Sequence, residues 1–238
     1  MTEQEFKQYA ERGFNRVPLV LETLADLDTP LSVYLKLGNR PYSYLLESVQ
    51  GGERFGRYSF IGLPAELRFE VRGHLCSEYR GNTLLSQSEQ PDPLEWVRES
   101  HARFKAPAIP GLPRFAGGLV GYFGYETVRY VEKRVAECDK PDAIGAPDIL
   151  LMLSDRLAVV DNLSGKLYLV VYADPRGEGA YAEAQMQLSV LLQALRQPLT
   201  MPAEMPAQPV AAQSEFSEDA FIEAVERAWT FASLKYGE

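Results

Sequence analysis

The sequence predicts an α+β fold, mostly antiparallel sheet with flanking helices. Three observations carry that expectation. Short runs of period-two apolar alternation come in hairpin pairs with turn residues between them. Helical periodicity is confined to separate blocks. The 238 residues include thirteen Tyr and eleven Phe, enough apolar material for a packed core.

The chain opens on a helix. Thr2 and Glu5 have the spacing of a capping box, and Phe6, Tyr9 and Ala10 follow at helical intervals. Residues 15–18 break the pattern. Residues 32–37 alternate, with Val33, Leu35 and Leu37 on one face, and predict a strand. After Pro41, residues 42–49 predict a second strand. Tyr42, Tyr44, Leu46 and Ser48 share one face of it, and Ser43, Leu45, Glu47 and Val49 the other. Gly51-Gly52 ends it, and residues 57–61 return beside it. Residues 67–71 and 75–79 form a hairpin about Gly73, with the next turn at residues 80–82.

Asp92-Pro93 starts a helix, a capping carboxylate followed by proline at the first helical position. Its stripe is Leu94, Val97, His101 and Phe104. Residues 105–114 hold three prolines and form a loop, and residues 117–126 a strand running into a helix at 126–132. Strands follow at 149–153, 156–161 and 166–172, the last two joined by a turn at 162–165. Residues 178–196 form a long helix with Tyr181, Gln185, Leu188, Leu192 and Leu195 inward. Residues 197–214 are rich in Pro and Ala and predict a linker. Ser217 caps a final helix whose apolar stripe is Phe221, Ile222, Val225, Ala228 and Trp229. The expected domains are therefore 1–196, a linker at 197–214, and the start of a further unit at 215–238.

Several function classes are disfavoured. A net charge of −9 opposes a nucleic-acid surface, which needs clustered Lys and Arg. Cys76 and Cys138 lie far apart without metal-ligand spacing, and His74 and His101 are too isolated for a metal cluster. No run approaches the roughly 18 apolar residues of a membrane span. Residues 1–5 carry neither a basic region nor an apolar signal core, so the cytoplasm is the expected compartment.

Catalytic patterns are thin. Gly117, Gly118, Gly121 and Gly124 lack dinucleotide-loop spacing, and no Lys-Ser/Thr pair follows them. No serine sits in GxSxG, and neither histidine has a nucleophile in its sequence context. Leu45-Leu46-Glu47-Ser48 is different. A strand end presenting Glu and Ser beside an aromatic face suits a small-molecule site: the carboxylate pairs with an ammonium group, the hydroxyl bonds, and tyrosines wall an indole. The plainer alternative is a solvated Glu47 and a Ser48 bonded to the following turn.

At this strand a family resemblance emerges. Residues 43–49, followed by Gly56-Arg57-Tyr58-Ser59-Phe60-Ile61-Gly62, resemble the amino-terminal domain of anthranilate synthase component I. Residues 29–37, 117–126, Arg129-Tyr130 and 147–152 fit the same family, so the resemblance covers most of residues 15–175. The Leu-Leu-Glu-Ser form points to the tryptophan branch of the chorismate-using synthases. The resemblance implies half of that family's sandwich fold. It also implies that the complete enzyme converts chorismate to anthranilate and pyruvate, with ammonia from a glutamine amidotransferase subunit and with Mg2+. Ser48 would be the foremost contact for the inhibitor L-tryptophan, with Glu47 and Leu46 next. The rest of that pocket, the chorismate site and the Mg2+ carboxylates belong to the family's carboxy-terminal domain.

Residues 216–228 resemble the helix that opens that domain, but residues 229–238 depart from its pattern. The expectation is a truncated chain that is inactive alone and self-associates through exposed apolar surface. Three alternatives stay open: an aminodeoxychorismate synthase component, a stand-alone amino-acid-binding module, and an interaction module without ligand.

Overall fold

The computed structural model describes residues 1–47, 56–135, 142, 144–199 and 211–236. Two compact units divide the chain, 1–201 and 202–238.

The described residues of the first unit form ten strands in two antiparallel sheets. The strands are β1 (Val17–Leu24), β2 (Tyr44–Leu46), β3 (Tyr58–Gly62), β4 (Leu67–Arg72), β5 (Leu75–Arg80), β6 (Thr83–Glu89), β7 (Gly118–Phe123), β8 (Ile149–Ser154), β9 (Arg156–Asp161) and β10 (Lys166–Ala173). One sheet has the order β1-β10-β9-β3-β2, the other β6-β5-β4-β8-β7. All pairs are antiparallel. The predicted fold class holds. Asp155 alone separates β8 from β9, so the chain leaves one sheet and enters the other across a single residue.

Three helices cover one face of the first sheet: α1 (Glu3–Glu11), α2 (Pro30–Leu37) and α4 (Ala180–Leu195). The alternation of the strands decides what they meet. Val17 and Leu19 of β1, Ala158 and Val160 of β9, and Leu167, Leu169 and Val171 of β10 all turn to this side. There they pack with Phe6, Val33, Ala184, Leu188 and Leu195 from the helices. The capping box of α1 forms as predicted, with Glu5 N donating to Thr2 Oγ1 at 3.2 Å and Thr2 N to Glu5 Oε2 at 2.6 Å. In α4, Gln185 is exposed and Ala184 takes the buried place expected for it.

The second sheet is backed by α3 (Pro93–Ala102). Asp92 Oδ1 accepts from the backbone N–H of Leu94 and Glu95 at 3.0 and 3.1 Å, the cap that Asp92-Pro93 predicts. Phe69 lies edge-on to Trp96 and Phe104 over this sheet, beside Val97, Leu151 and Leu153. His101 does not join the buried stripe; it is exposed, and Ser100 is buried instead.

Four local expectations are corrected. Residues 32–37 are helical, not a strand. Thr29 Oγ1 accepts from Ser32 N at 3.1 Å, Ser32 Oγ accepts from Thr29 N at 3.0 Å, and Pro30 occupies the first turn. That cap outweighs three alternating apolar residues. Residues 15–18, expected only to break a helix, lead into the eight-residue β1. Pro18 is tolerated because, among the described strands, β1 is an edge strand paired only with β10. The second predicted strand is only three residues long among those described, because Tyr42 takes a left-handed φ of 62° and leaves the strand face. After β7 comes a 3-10 helix at Tyr125–Tyr130, shorter and tighter than the helix expected at 126–132.

In the second unit α5 (Glu218–Tyr236) begins as expected, with Ala220 N donating to Ser217 Oγ at 3.2 Å. Among the described residues no helix is long and apolar enough to cross a membrane.

Candidate functional site

Strand β2 carries the Leu-Leu-Glu segment at one edge of the first sheet. Its register against β3 pairs Tyr44 with Gly62, Leu45 with Ile61 and Leu46 with Phe60. Leu45 turns to the helices and joins their core. Tyr44 and Leu46 turn the other way, as alternation requires. Leu46 is 48% exposed, and Glu47 is exposed just beyond the strand. Ser48 lies outside the described residues.

The face that Leu46 shares is aromatic. Register carries a row from Leu46 through Phe60 and Val159 to Tyr168, across four strands. Phe115, from the loop before β7, stands edge-on to Phe60 with centroids 5.1 Å apart, and Tyr58 lies 6.1 Å from Phe60 on the other side. Leu112 packs on the same cluster, whose floor is Leu157, Val159 and Val170. Tyr58, Phe60, Phe115 and Tyr168 are half-buried, so their rings form a wall that a flat apolar group can lie against.

Charge is fixed at one end of this wall. Asp161 is buried, and Arg57 grips it with Nε 3.0 Å from Oδ1 and Nη2 2.7 Å from Oδ2. The guanidinium also sits 4.9 Å from the Tyr58 ring centroid. Arg57, followed by the N–H groups of Leu163 and Ser164, holds the Asp161 carboxyl down at about 2 despite its burial.

Tyr44 anchors β2 to the other sheet. Its hydroxyl lies 2.6 Å from Ser154 Oγ, and burial pushes its phenol above the ordinary value. Glycine at 62 permits this, because a Cβ there would lie 1.9 Å from Tyr44 Cε1. Tyr42 has a different task. Its ring stacks on the Arg68 guanidinium, 4.5 Å away, and its carbonyl accepts from Ala65 N at 2.9 Å. It tethers the segment before β2 and does not line the face with Leu46.

The motif thus places Leu46 and Glu47 at the margin of the aromatic wall, and the local sequence pattern does not single out Phe60, Phe115, Val159 or Tyr168 as their neighbours. Phe60 alternates with Tyr58 in a run already expected beside β2, a partial signal. Val159 and Tyr168 arrive only through the register of β9 and β10. Among the described residues no group of three or more His, Cys, Asp or Glu could hold a metal ion.

Comparison with known proteins agrees with the fold and the motifs. Residues 43–231 match the chorismate binding enzyme family. Anthranilate synthase component 1 of Neisseria meningitidis serogroup C is 51% identical over 224 residues, which cover 93% of this chain and 45% of that protein. The Pseudomonas aeruginosa protein of the same name is 54% identical over 193 residues, covering 81% and 39%. The crystal structure of anthranilate synthase component I from Streptococcus pneumoniae TIGR4 superposes with a TM-score of 0.55 at 21% identity, over 87% of this chain and 44% of that one, a likeness of fold. The chain spans under half the length of these curated relatives.

Proposed function

The chain belongs to the chorismate binding enzyme family, and from that premise we propose that it is the amino-terminal, tryptophan-sensing part of an anthranilate synthase component I. The observation that carries this reading is the 51% identity to Neisseria meningitidis anthranilate synthase component 1 across 93% of the chain. In this reading the complete enzyme converts chorismate to anthranilate and pyruvate in the cytoplasm. Ammonia comes from a partner glutamine amidotransferase subunit. Mg2+ and chorismate are held by the carboxy-terminal domain of the complete enzyme, and residues 1–238 alone turn over no chorismate.

The regulatory ligand is L-tryptophan, held where β2 meets the aromatic wall. Leu46, Phe60 and Phe115 suit the indole, and Glu47 can pair with the ammonium group. Ser48 would contribute a hydroxyl at the next position. Inhibition requires that tryptophan bind a low-activity arrangement of the complete enzyme more tightly than the active one.

The test is chorismate turnover with ammonium, measured on the complete enzyme carrying these residues and titrated with L-tryptophan. We expect inhibition in the parent and its loss in Ser48→Phe, which fills the pocket without touching catalysis. Unchanged inhibition in Ser48→Phe removes the tryptophan site from this strand. Turnover by residues 1–238 alone overturns their assignment as a regulatory part. An enzyme that makes aminodeoxychorismate instead of anthranilate moves it to the sister branch.

A further inference from the structure

A cavity of about 260 Å³ lies where the two sheets meet, next to the aromatic wall: Tyr172 lines it and also packs on the Leu157, Val159 and Val170 cluster. Its polar lining is Arg16, His101, Ser154, Asp155 and Tyr172, of which Ser154 and Asp155 form the β8–β9 corner. Arg16, just before β1, presents a guanidinium with one nitrogen committed: Nη1 donates to Asn15 O at 3.0 Å. Phe104 lies under it, 5.5 Å from ring centroid to Cζ. Arg16 Nε is buried and has no hydrogen-bond partner among the described residues. A buried donor without an acceptor is rare and costly, on the order of 1–3 kcal/mol.

Asp155 supplies the opposite charge to the same cavity. Burial pushes its carboxyl above the ordinary value, against the pull of Arg156 and Arg16. Arg156 Nε stands 4.0 Å away, too far for a hydrogen bond. Tyr172, kept protonated by burial at about 12, adds a neutral phenol. Leu119, Leu153 and the Phe104 ring give an apolar wall. Gly117 closes the base, since a Cβ there would lie 2.8 Å from both Ser154 O and Tyr172 Cε2.

We propose that this cavity binds a small zwitterion of the α-amino-acid type, its carboxylate on Arg16, its ammonium group on Asp155 and its side chain on the apolar wall. Donor and acceptor line one cavity, where Arg156, Arg16 and Asp174 already share charge. Even so, neither the Asp155 carboxylate nor Arg16 Nε has a close hydrogen-bonded partner among the described residues, so a ligand bearing both charges engages both. The volume is below that of pockets for drug-sized molecules, which limits the ligand to a few heavy atoms beyond the backbone-like head. This site differs in its lining from the proposed tryptophan site, and its charged groups Arg16 and Asp155 take no part in that one, although Tyr172 packs on the aromatic cluster. The two are linked through Ser154, which lines the cavity and whose Oγ meets Tyr44 of β2.

The test is calorimetric titration of the 238-residue chain with each of the twenty L-amino acids, up to about 10 mM to capture weak binding. At least one should bind, and its decarboxylated amine and N-acetyl derivative should not. Arg16→Gln and Asp155→Asn should each weaken binding about tenfold or more. Ala106→Trp, on an exposed loop position lining the mouth, should block it without altering the thermal melt. If no L-amino acid binds, the proposal fails. It fails too if binding survives Ala106→Trp, or is lost only in Ser48→Phe, which would assign the ligand to β2 and leave the tryptophan reading standing.

Discussion

Tyr44 Oη and Ser154 Oγ lie 2.6 Å apart across 110 residues of chain, joining β2 of one sheet to the end of β8 in the other. Ser154 is 2% exposed, so no solvent can replace this partner. Tyr44→Phe should therefore cost about 1–2 kcal/mol, the penalty of a buried hydroxyl left unpaired. Ser154→Ala in the Tyr44→Phe background should cost little more. Urea denaturation of both single variants and the double variant closes the cycle, and additive effects would mean that the two hydroxyls are not coupled.

Gly62 sets a second, steric constraint on the same tyrosine. A Cβ at 62 would fall 1.9 Å from Tyr44 Cε1 and 2.4 Å from its Cδ1 and Cζ. Gly62→Ala must expel the ring, breaking the Ser154 bond as well as the packing, at about 2–4 kcal/mol. In a Tyr44→Ala background that cost should nearly vanish. Persistence of the full cost there would place the strain in the backbone of β3 rather than in the ring.

Asp161 gives the fold an acid-sensitive element. Its carboxyl titrates at about 2 when folded, against an ordinary 3.8, with the Arg57 bond as the main cause. A depressed folded value means that stability is fully present above the ordinary value and is lost as pH falls from about 5 toward 2. With Arg57 40% exposed and screened by solvent, the contribution is on the order of 1–2 kcal/mol. Asp161→Asn should be less stable than the parent at pH 7, and the gap should close on acidification. A gap of constant size from about pH 7 to about pH 2.5 would show that Asp161 is not the titrating group.

Cys76 should be silent toward thiol reagents in the native state. It is 1% exposed, and burial followed by the nearby Glu89 charge pushes its thiol up to about 11. Little reactive thiolate therefore exists at pH 8, and little of it is reachable. Peptide-resolved alkylation should label Cys76 only at the rate of unfolding, accelerating with urea as the global transition does. Fast labelling in the absence of urea would reveal local opening of β5.

Where structure is decided locally, the sequence is sufficient. Asp92-Pro93 and the Thr2–Glu5 pair announce their helices because a cap needs only residues within one turn. The hairpin about Gly73 is legible for the same reason. Residues 32–37 mislead because Val33, Leu35 and Leu37 satisfy period two over a span too short to exclude a helix, while Thr29, Pro30 and Ser32 hold the decisive signal. β1 is hidden because its strand character comes from β10, about 150 residues away, while Pro18 speaks locally against it. The site divides along the same line. Leu46 and Glu47 are found through a contiguous motif, whereas Val159 and Tyr168 reach them through cross-strand register, which no contiguous pattern encodes.

Helix α5 carries an exposed apolar stripe. Phe221, Ile222, Val225 and Trp229 are 61%, 48%, 51% and 76% exposed, and they repeat at helical spacing on one stripe. An apolar stripe of this length favours burial, and a second copy of the chain offers an equivalent stripe at high concentration. Light scattering across a concentration series should show a mass that rises above 26.7 kDa. Val225→Lys with Trp229→Glu should return it to the monomer value, since charge on the stripe makes its burial unfavourable. A parent mass independent of concentration, or one unaltered by the double change, would exclude α5 as the associating surface.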